Sequence, residues 1–168
     1  MSEPLTSDQN LASSIARIAG LMSSNQFPTG ERASLRRMAP GQIPPLGFYR
    51  FAMRYLPEGW ERNLDEWTVL VAGMAIMAPN AHDPRRGFGT ALAISGYSEA
   101  RLERLLSAEG ETRRTLVLRA ARFLAAKGVA FNWVDAAAFL LTRHDELREQ
   151  IHRRIARDYY RENQRQTG

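Results

Sequence analysis

The chain has 168 residues, of which 44% are hydrophobic and 24% are charged, a balance typical of a globular protein with its own apolar core. Its formal net charge is +5, and Lys127 is the only lysine among 23 basic residues, so arginine supplies almost all of the positive charge. The sequence contains no cysteine, which excludes disulfide bonds, thiolate metal sites and cysteine nucleophiles and suits a reducing cytoplasm.

Helical periodicity begins close to the N-terminus. Residues 1–10 are polar and acidic, which is not the pattern of a signal peptide. Apolar residues then recur at helical spacing in residues 11–22 and again in residues 46–56. The segment between them, residues 29–38, predicts about two turns of helix, and its arginines are Arg32, Arg36 and Arg37.

The middle of the chain contains its most apolar stretch. Asn63 and Glu66 have the spacing of a capping box, which predicts that a helix begins there. The apolar run that follows, residues 69–79, is about half as long as the ~20 residues that a membrane span needs. We therefore expect a buried core helix, no membrane partner and a cytoplasmic protein.

Residues 78–89 are the longest loop candidate, because proline, glycine and asparagine are concentrated there. Four more helical segments follow, at residues 98–108, 111–128, 132–142 (with Asn132 as N-cap) and 144–163. No run alternates for long enough to predict a strand. The sequence predicts an all-α fold of about eight helices in a compact bundle, as one domain over residues 1–168 or as two small lobes divided within residues 78–89.

Two His-Asp dipeptides offer a candidate catalytic site. All-helical metal phosphohydrolases hold their metal ions with a histidine, a His-Asp pair and a later aspartate, and the ions activate water against phosphate. On that pattern the ligands would be His82, His144, Asp145 and Asp158. However, His82 lies in the loop candidate, and Asp145 is explained as an acid that favours a helix N-terminus. This enzyme remains an alternative to our main expectation of no catalytic residue, metal or other cofactor.

Many arginines share a helix face, at the spacings Arg32/Arg36, Arg101/Arg104, Arg119/Arg122 and Arg153/Arg157/Arg161. Some belong to ordinary solvated faces, because Glu149–Arg153 and Arg154–Asp158 have the i,i+4 spacing of ion pairs. GC-rich codon bias would also explain an excess of arginine, and the protein would then be a helical protein–protein adaptor. A groove for a polyanion is the other interpretation, because aligned like charges repel unless something neutralises them, and guanidinium groups bind phosphate bidentately.

Five strings occur in an order that resembles a known family: "GERASLRRM", "LGFYRFAMRYLPEGW", "GTALAISGYSEARLERLLSAE", "FNWVDAAAFLL" and "RRIARDYYR". The chain resembles the small subunit of the type I-E CRISPR Cascade complex, the CasB family, over about residues 30–161. The family often has arginine where this chain has Thr90.

This resemblance implies an all-helical, non-catalytic subunit of an RNA-guided antiviral surveillance complex. It implies as partners the CRISPR guide RNA, the target strand and the displaced single-stranded DNA of the R-loop, the large and backbone subunits of the complex, and a second copy of the chain. Binding would go to phosphates and leave sequence choice to base pairing. Matching positions, together with the arginine arrays, give as candidate contacts Arg32, Arg36, Arg37, Arg62, Arg101, Arg104, Arg119, Arg122, Arg148, Arg153 and Arg154.

Overall fold

A computed structural model describes residues 7–168, and within them the secondary structure is helical without strands. The helices are α1 (Ser7–Ser23), α2 (Thr29–Arg36), α3 (Leu46–Tyr55), α4 (Leu64–Met77), α5 (Phe88–Ile94), α6 (Glu99–Ser107), α7 (Gly110–Lys127), α8 (Trp133–Leu141) and α9 (Asp145–Thr167). A short 3₁₀ helix, Trp60–Asn63, precedes α4. The prediction of an all-α fold is confirmed, with nine α-helices in the described residues instead of about eight. The division into one domain or two lobes stays a prediction.

Helix α4 lies at the centre of the bundle, as its apolar sequence predicts. Beyond its first turn it is apolar on every side and buries all of residues 67–75, and it packs against α1, α2, α7 and α8. Gly73 permits a close contact with α8, because a Cβ atom there would overlap the indole ring of Trp133. The position of α4 explains why this helix has no polar face.

The two predicted N-caps behave differently. The Asn132 side chain accepts a hydrogen bond from the Val134 amide at 3.0 Å and caps α8 as predicted. Asn63 stands at the N-cap of α4, but its side chain caps nothing there. Its Oδ1 atom accepts a hydrogen bond from Arg143 at 2.9 Å instead. The capping-box prediction is therefore right about where α4 begins and wrong about what the Asn63 side chain does.

The loop at residues 78–87 is held against the start of α8. The Trp133 indole N–H donates to the carbonyl of Ala81 at 2.9 Å, and the Trp133 amide donates to Nδ1 of His82 at 3.1 Å. The Asp83 amide donates to the carbonyl of Phe131 at 3.0 Å. These bonds satisfy polar groups of the loop and hold it against the start of α8.

Candidate nucleic-acid interface

Five exposed cations form one surface where α6 meets α7. We name it the α6–α7 basic surface, and its residues are Arg101, Arg104, Arg119, Arg122 and Lys127. Phe123 of α7 contributes an aromatic ring to this surface. The guanidinium of Arg101 lies 5.8 Å from the centroid of this ring, and the ammonium of Lys127 lies 5.7 Å from it. The half-buried ring thus makes cation–π contacts with two of the five cations.

Local sequence explains how these cations come to face solvent. Leu102 and Leu105 are the buried residues of α6, so Arg101 and Arg104 point away from the core. Ser98 caps the helix by accepting a hydrogen bond from the Arg101 amide at 3.2 Å. On α7, Arg119 and Arg122 are three residues apart and both exposed.

No carboxylate of the described residues forms an ion pair with a cation of the α6–α7 basic surface. The ion pairs found among the described residues involve Arg85, Arg114, Arg153, Arg154 and Arg165, and none of the five cations of the surface. Burial raises the pKa of the Tyr97 hydroxyl above its ordinary value. The charges of Arg101 and Arg104 oppose this shift but do not cancel it. Like charges crowded in this way favour the binding of an anion.

Arg36 and Arg37 lie at the end of α2, away from that surface. Both are exposed, and the buried side chain of Leu35 anchors the helix beside them. Helix α2 packs against α3 and α4, whereas α6 packs against α7. The loop after α2 reaches the first turn of α7, where Gly41 lies against Glu111. Arg119 is eight residues farther along α7, about 12 Å away along its axis.

Arg32 is held inside the fold. Its Nη2 atom donates to the carbonyl of Ser24 at 2.8 Å, and its guanidinium lies 5.7 Å from the Phe27 ring centroid. The side chain therefore ties the turn between α1 and α2 together. Arg32 and Arg36 are four residues apart on α2, but the Arg32 guanidinium contacts the fold whereas Arg36 is exposed to solvent.

The C-terminal candidates Arg153 and Arg154 are in ion pairs. Arg153 binds Glu149 at 2.7 Å, as its i,i+4 spacing predicts. Arg154 binds Asp135 of α8 at 3.0 Å, so the predicted pairing of Arg154 with Asp158 is wrong. The buried carboxylate attracts this guanidinium because it otherwise has only one donor in the described residues, the Phe88 amide at 2.9 Å.

Asp135 gives a pH dependence that can be measured. Burial raises the pKa of its carboxyl above the ordinary 3.8, opposed by the Phe88 amide and Arg154 and assisted by Asp158. A raised pKa means that the folded state holds the proton more tightly, so this group makes folding less favourable as the pH rises above about 4. We expect wild type to lose free energy of unfolding relative to Asp135→Asn over that range, in urea titrations at several pH values.

The exposed Asp145→Asn variant is the matched control for loss of a carboxylate. Its difference from wild type shows how much of any change follows from removing a surface carboxylate alone. A difference between wild type and Asp135→Asn that stays constant over this pH range would contradict the assigned shift.

The last two candidates, Arg62 and Arg148, lie near further arginines that the sequence patterns did not single out. Arg62 is exposed in the 3₁₀ helix, and its carbonyl accepts a hydrogen bond from Arg143 at 3.4 Å. Arg148 is half-buried and lines a cleft with Arg113, Arg114 and Arg143. A helical wheel could have found Arg113, because it falls on the same stripe as the buried Val117, Ala120 and Leu124.

The ligands of the metal hypothesis do not come together. His82 uses Nδ1 to accept the Trp133 amide, and burial lowers its pKa. His144 and Asp145 stand at the start of α9, whereas Asp158 is about 20 Å farther along the same helix. Among the residues that the structure describes, no three His, Cys, Asp or Glu side chains are grouped to hold a metal ion. The geometry gives no support to the phosphohydrolase alternative.

Comparison with known proteins decides the family. A family model described as CRISPR-associated protein Cse2 matches residues 31–160 of this chain. The chain belongs to the Cse2 family. The resemblance to the Cascade small subunit is thereby confirmed, and the match spans most of the described fold.

One solved structure similar to this Cse2-family chain is titled "CRISPR RNA-guided surveillance complex". The matched chain of that structure is 21% identical, with a TM-score of 0.69, and the alignment covers 94% of this chain and 96% of that chain. At this level of identity the likeness establishes the shared fold. A comparison with curated protein sequences gives no significant match. No helix in residues 7–168 has the length and hydropathy of a membrane span.

The strings that carry the Cse2 resemblance mostly build the core. Phe48 and Trp133 are fully buried, and Tyr159 is nearly so. In the "GTALA" string, Gly89 lies against the carbonyl oxygen of Ile155 in α9. These residues identify the fold, whereas the α6–α7 basic surface is a property of exposed positions.

Proposed function

We propose that this protein is a non-catalytic subunit of a CRISPR RNA-guided surveillance complex and that its α6–α7 basic surface binds the backbone of a nucleic-acid strand in that complex. Membership of the Cse2 family supports the first part. The observation that carries the second is the set of five exposed cations on α6 and α7, two of which contact Phe123 and none of which is paired with a carboxylate of the described residues.

The chemistry of this surface fits phosphate better than bases. Arg101 and Lys127 both lie near the Phe123 ring, so the ring is engaged by cations of its own chain and is not a free platform for stacking. The guanidinium groups keep outward N–H donors, and these suit phosphate oxygens in a bidentate arrangement. Contacts to phosphate fix the path of a strand without reading its sequence.

Such a subunit needs no reaction of its own. In guided complexes, base pairing between the guide and the target selects the sequence, and protein contacts to the backbone steady the strands. The guide RNA, the target strand and the displaced strand all present the same phosphate chemistry. The large and backbone subunits and a second copy of the chain are the protein partners of this proposal, in the cytoplasm of the host cell.

The test is a titration of the purified protein, and of the complex assembled with it, against single-stranded oligonucleotides of unrelated sequence at several salt concentrations. We expect affinities that differ little between sequences and a log affinity that falls linearly with log salt concentration. Binding that does not depend on salt concentration, or that is absent in both preparations, would favour the alternative of a helical protein–protein adaptor. Cleavage of the strand with added Mg²⁺ or Mn²⁺ would favour the metal-dependent phosphohydrolase alternative.

A further inference from the structure

A second cluster of arginines lines a cleft on another part of the molecule. The cleft lies between the N-terminus of α7, the end of α8 and the start of α9, and its volume is about 300 Å³. Its basic residues are Arg113, Arg114, Arg143 and Arg148, against two carboxylates, Glu66 and Glu109. With about 30 Å³ for each water molecule, the cleft can hold a phosphate group and several waters.

Arg113 is the most buried of these cations. Only 6% of the residue is exposed, and its guanidinium lies 3.9 Å from the Phe139 ring centroid. The one hydrogen bond of the Arg113 side chain to a described residue joins Nη2 to Nε2 of His152 at 3.0 Å. The Nε atom of Arg113 has no partner in the described structure. It forms no ion pair with a described carboxylate. A buried charge without a counter-charge is costly.

The neighbouring groups add positive charge instead of removing it. Burial, followed by the charge of Arg148, lowers the pKa of Arg113 to about 10, which still leaves the guanidinium charged at neutral pH. Burial, Arg113 and Arg148 together lower the pKa of His152, against a smaller opposite effect of Glu149. Two cations and an imidazole are therefore held close together with their charge only partly balanced.

The available carboxylates are mostly engaged or peripheral. Glu66 binds Arg114 at 3.5 Å. Arg143 donates to two neutral oxygens, Oδ1 of Asn63 and the carbonyl of Arg62. Glu109 is exposed at the rim and opposes the lowering of the Arg113 pKa only as the smallest of its causes. Arg113, Arg143 and Arg148 thus lack a full counter-charge.

The backbone contributes in the same direction. Helix α7 has 18 residues and begins at Gly110, which lines the cleft. The Glu109 side chain at its N-cap accepts no hydrogen bond from the first turn. The first amides of a helix have no partner inside it and carry partial positive charge. Amides and guanidinium groups at one place are a phosphate-binding arrangement.

We propose that this cleft binds one phosphate group, a phosphodiester of a nucleic-acid strand, between the first turn of α7 and the guanidinium groups of Arg113, Arg143 and Arg148. The proposal rests on the proposed function, because it takes the ligand from the same class of strand. It is nevertheless separate in space, since Arg122 lies about 180° around α7 from Arg113. The cleft would hold the strand at a fixed point, whereas the α6–α7 basic surface binds along its length.

The test follows occupancy by NMR, from the amide resonances of residues 110–112 and the imidazole of His152. The probes are a short single-stranded oligonucleotide, dimethyl phosphate as a phosphodiester, and inorganic phosphate, each against sodium chloride at equal ionic strength. Both substitutions of the Arg143→Gln/Arg148→Gln variant fall outside the fully buried core, so the fold is expected to persist. The matched control is Arg85→Gln/Arg165→Gln, which removes two exposed arginines far from the cleft in sequence.

We expect the oligonucleotide and dimethyl phosphate to shift these resonances in wild type and to raise the pKa of His152. The Arg143→Gln/Arg148→Gln variant should bind dimethyl phosphate about tenfold or more weakly, and Arg148→Gln alone should already weaken it, because hydrogen bonds between charged groups are lost. Shifts with inorganic phosphate alone would overturn the phosphodiester assignment in favour of a free phosphate ligand. Oligonucleotide binding without any shift here would overturn the cleft and leave the α6–α7 basic surface intact.

Discussion

Replacing Arg101, Arg119 and Arg122 together by glutamine is expected to flatten the plot of log affinity against log salt concentration by about two units for single-stranded nucleic acid. Each phosphate contact on a single strand contributes about 0.7 to that slope, because about 0.7 of a condensed counterion is released on average when the contact forms. The loss of affinity should be similar for every sequence, since phosphates carry no sequence information. Fluorescence anisotropy with labelled oligonucleotides over a range of salt concentrations measures both quantities.

The matched control removes three arginines that are already in ion pairs, Arg85, Arg153 and Arg165. It changes the net charge by the same amount and should leave the slope much closer to that of wild type. Both variants alter exposed side chains, so thermal unfolding should change little. Equal slopes for the two variants would mean that net charge, and not the α6–α7 basic surface, controls binding. A loss confined to some sequences would indicate base recognition instead.

Gly89→Ala is expected to lower the free energy of unfolding by about 3 kcal/mol, at the upper end of the effect of overpacking. Gly89 lies in the first turn of α5, where a Cβ atom would collide with the carbonyl oxygen of Ile155 and approach the Tyr159 amide nitrogen to 2.9 Å. Both are backbone atoms of α9, which cannot rotate away as a flexible side chain can. The substitution must therefore separate α5 from α9, and urea unfolding followed by circular dichroism measures the cost.

Gly20→Ala is the matched control, because nothing lies within 4 Å of a Cβ atom placed on that glycine of α1. Alanine has the higher helix propensity, so this variant should gain up to about 1 kcal/mol. The two glycine-to-alanine changes are thus expected to have opposite signs. Equal and small effects would show that α5 and α9 are not packed as closely as the structure has them.

The glycine variants test residues that define the Cse2 fold, and the arginine variants test residues that we propose to bind nucleic acid. Gly89 belongs to a string that carries the family resemblance, and its replacement acts on folding. Arg119 and Arg122 lie outside the quoted strings, Arg101 is an exposed residue within one of them, and replacement of the three is expected to act on binding. A variant that loses binding and stability together would therefore need the stability measurement before its binding defect could be assigned to the surface.

Much of the fold could be predicted from the sequence, because helical periodicity is local. The buried stripes, the apolar α4 and the Asn132 cap all depend on residues within a few turns of one another. The exposure of Arg101, Arg104, Arg119 and Arg122 follows from the same periodicity, since each faces away from the apolar residues of its own helix. The family resemblance likewise rests on short strings in order.

Which arginines are free to bind was decided by tertiary structure. Arg154 turns to Asp135, because a buried carboxylate on a neighbouring helix competes better than the half-buried i,i+4 partner Asp158. Arg32 turns inward to Ser24. The cleft around Arg113 brings together residues from α7 and α9 with the loop between α8 and α9. Periodicity assigns a side chain to a face of its own helix, but the charge that it meets there comes from helices distant in sequence, and only their packing supplies it.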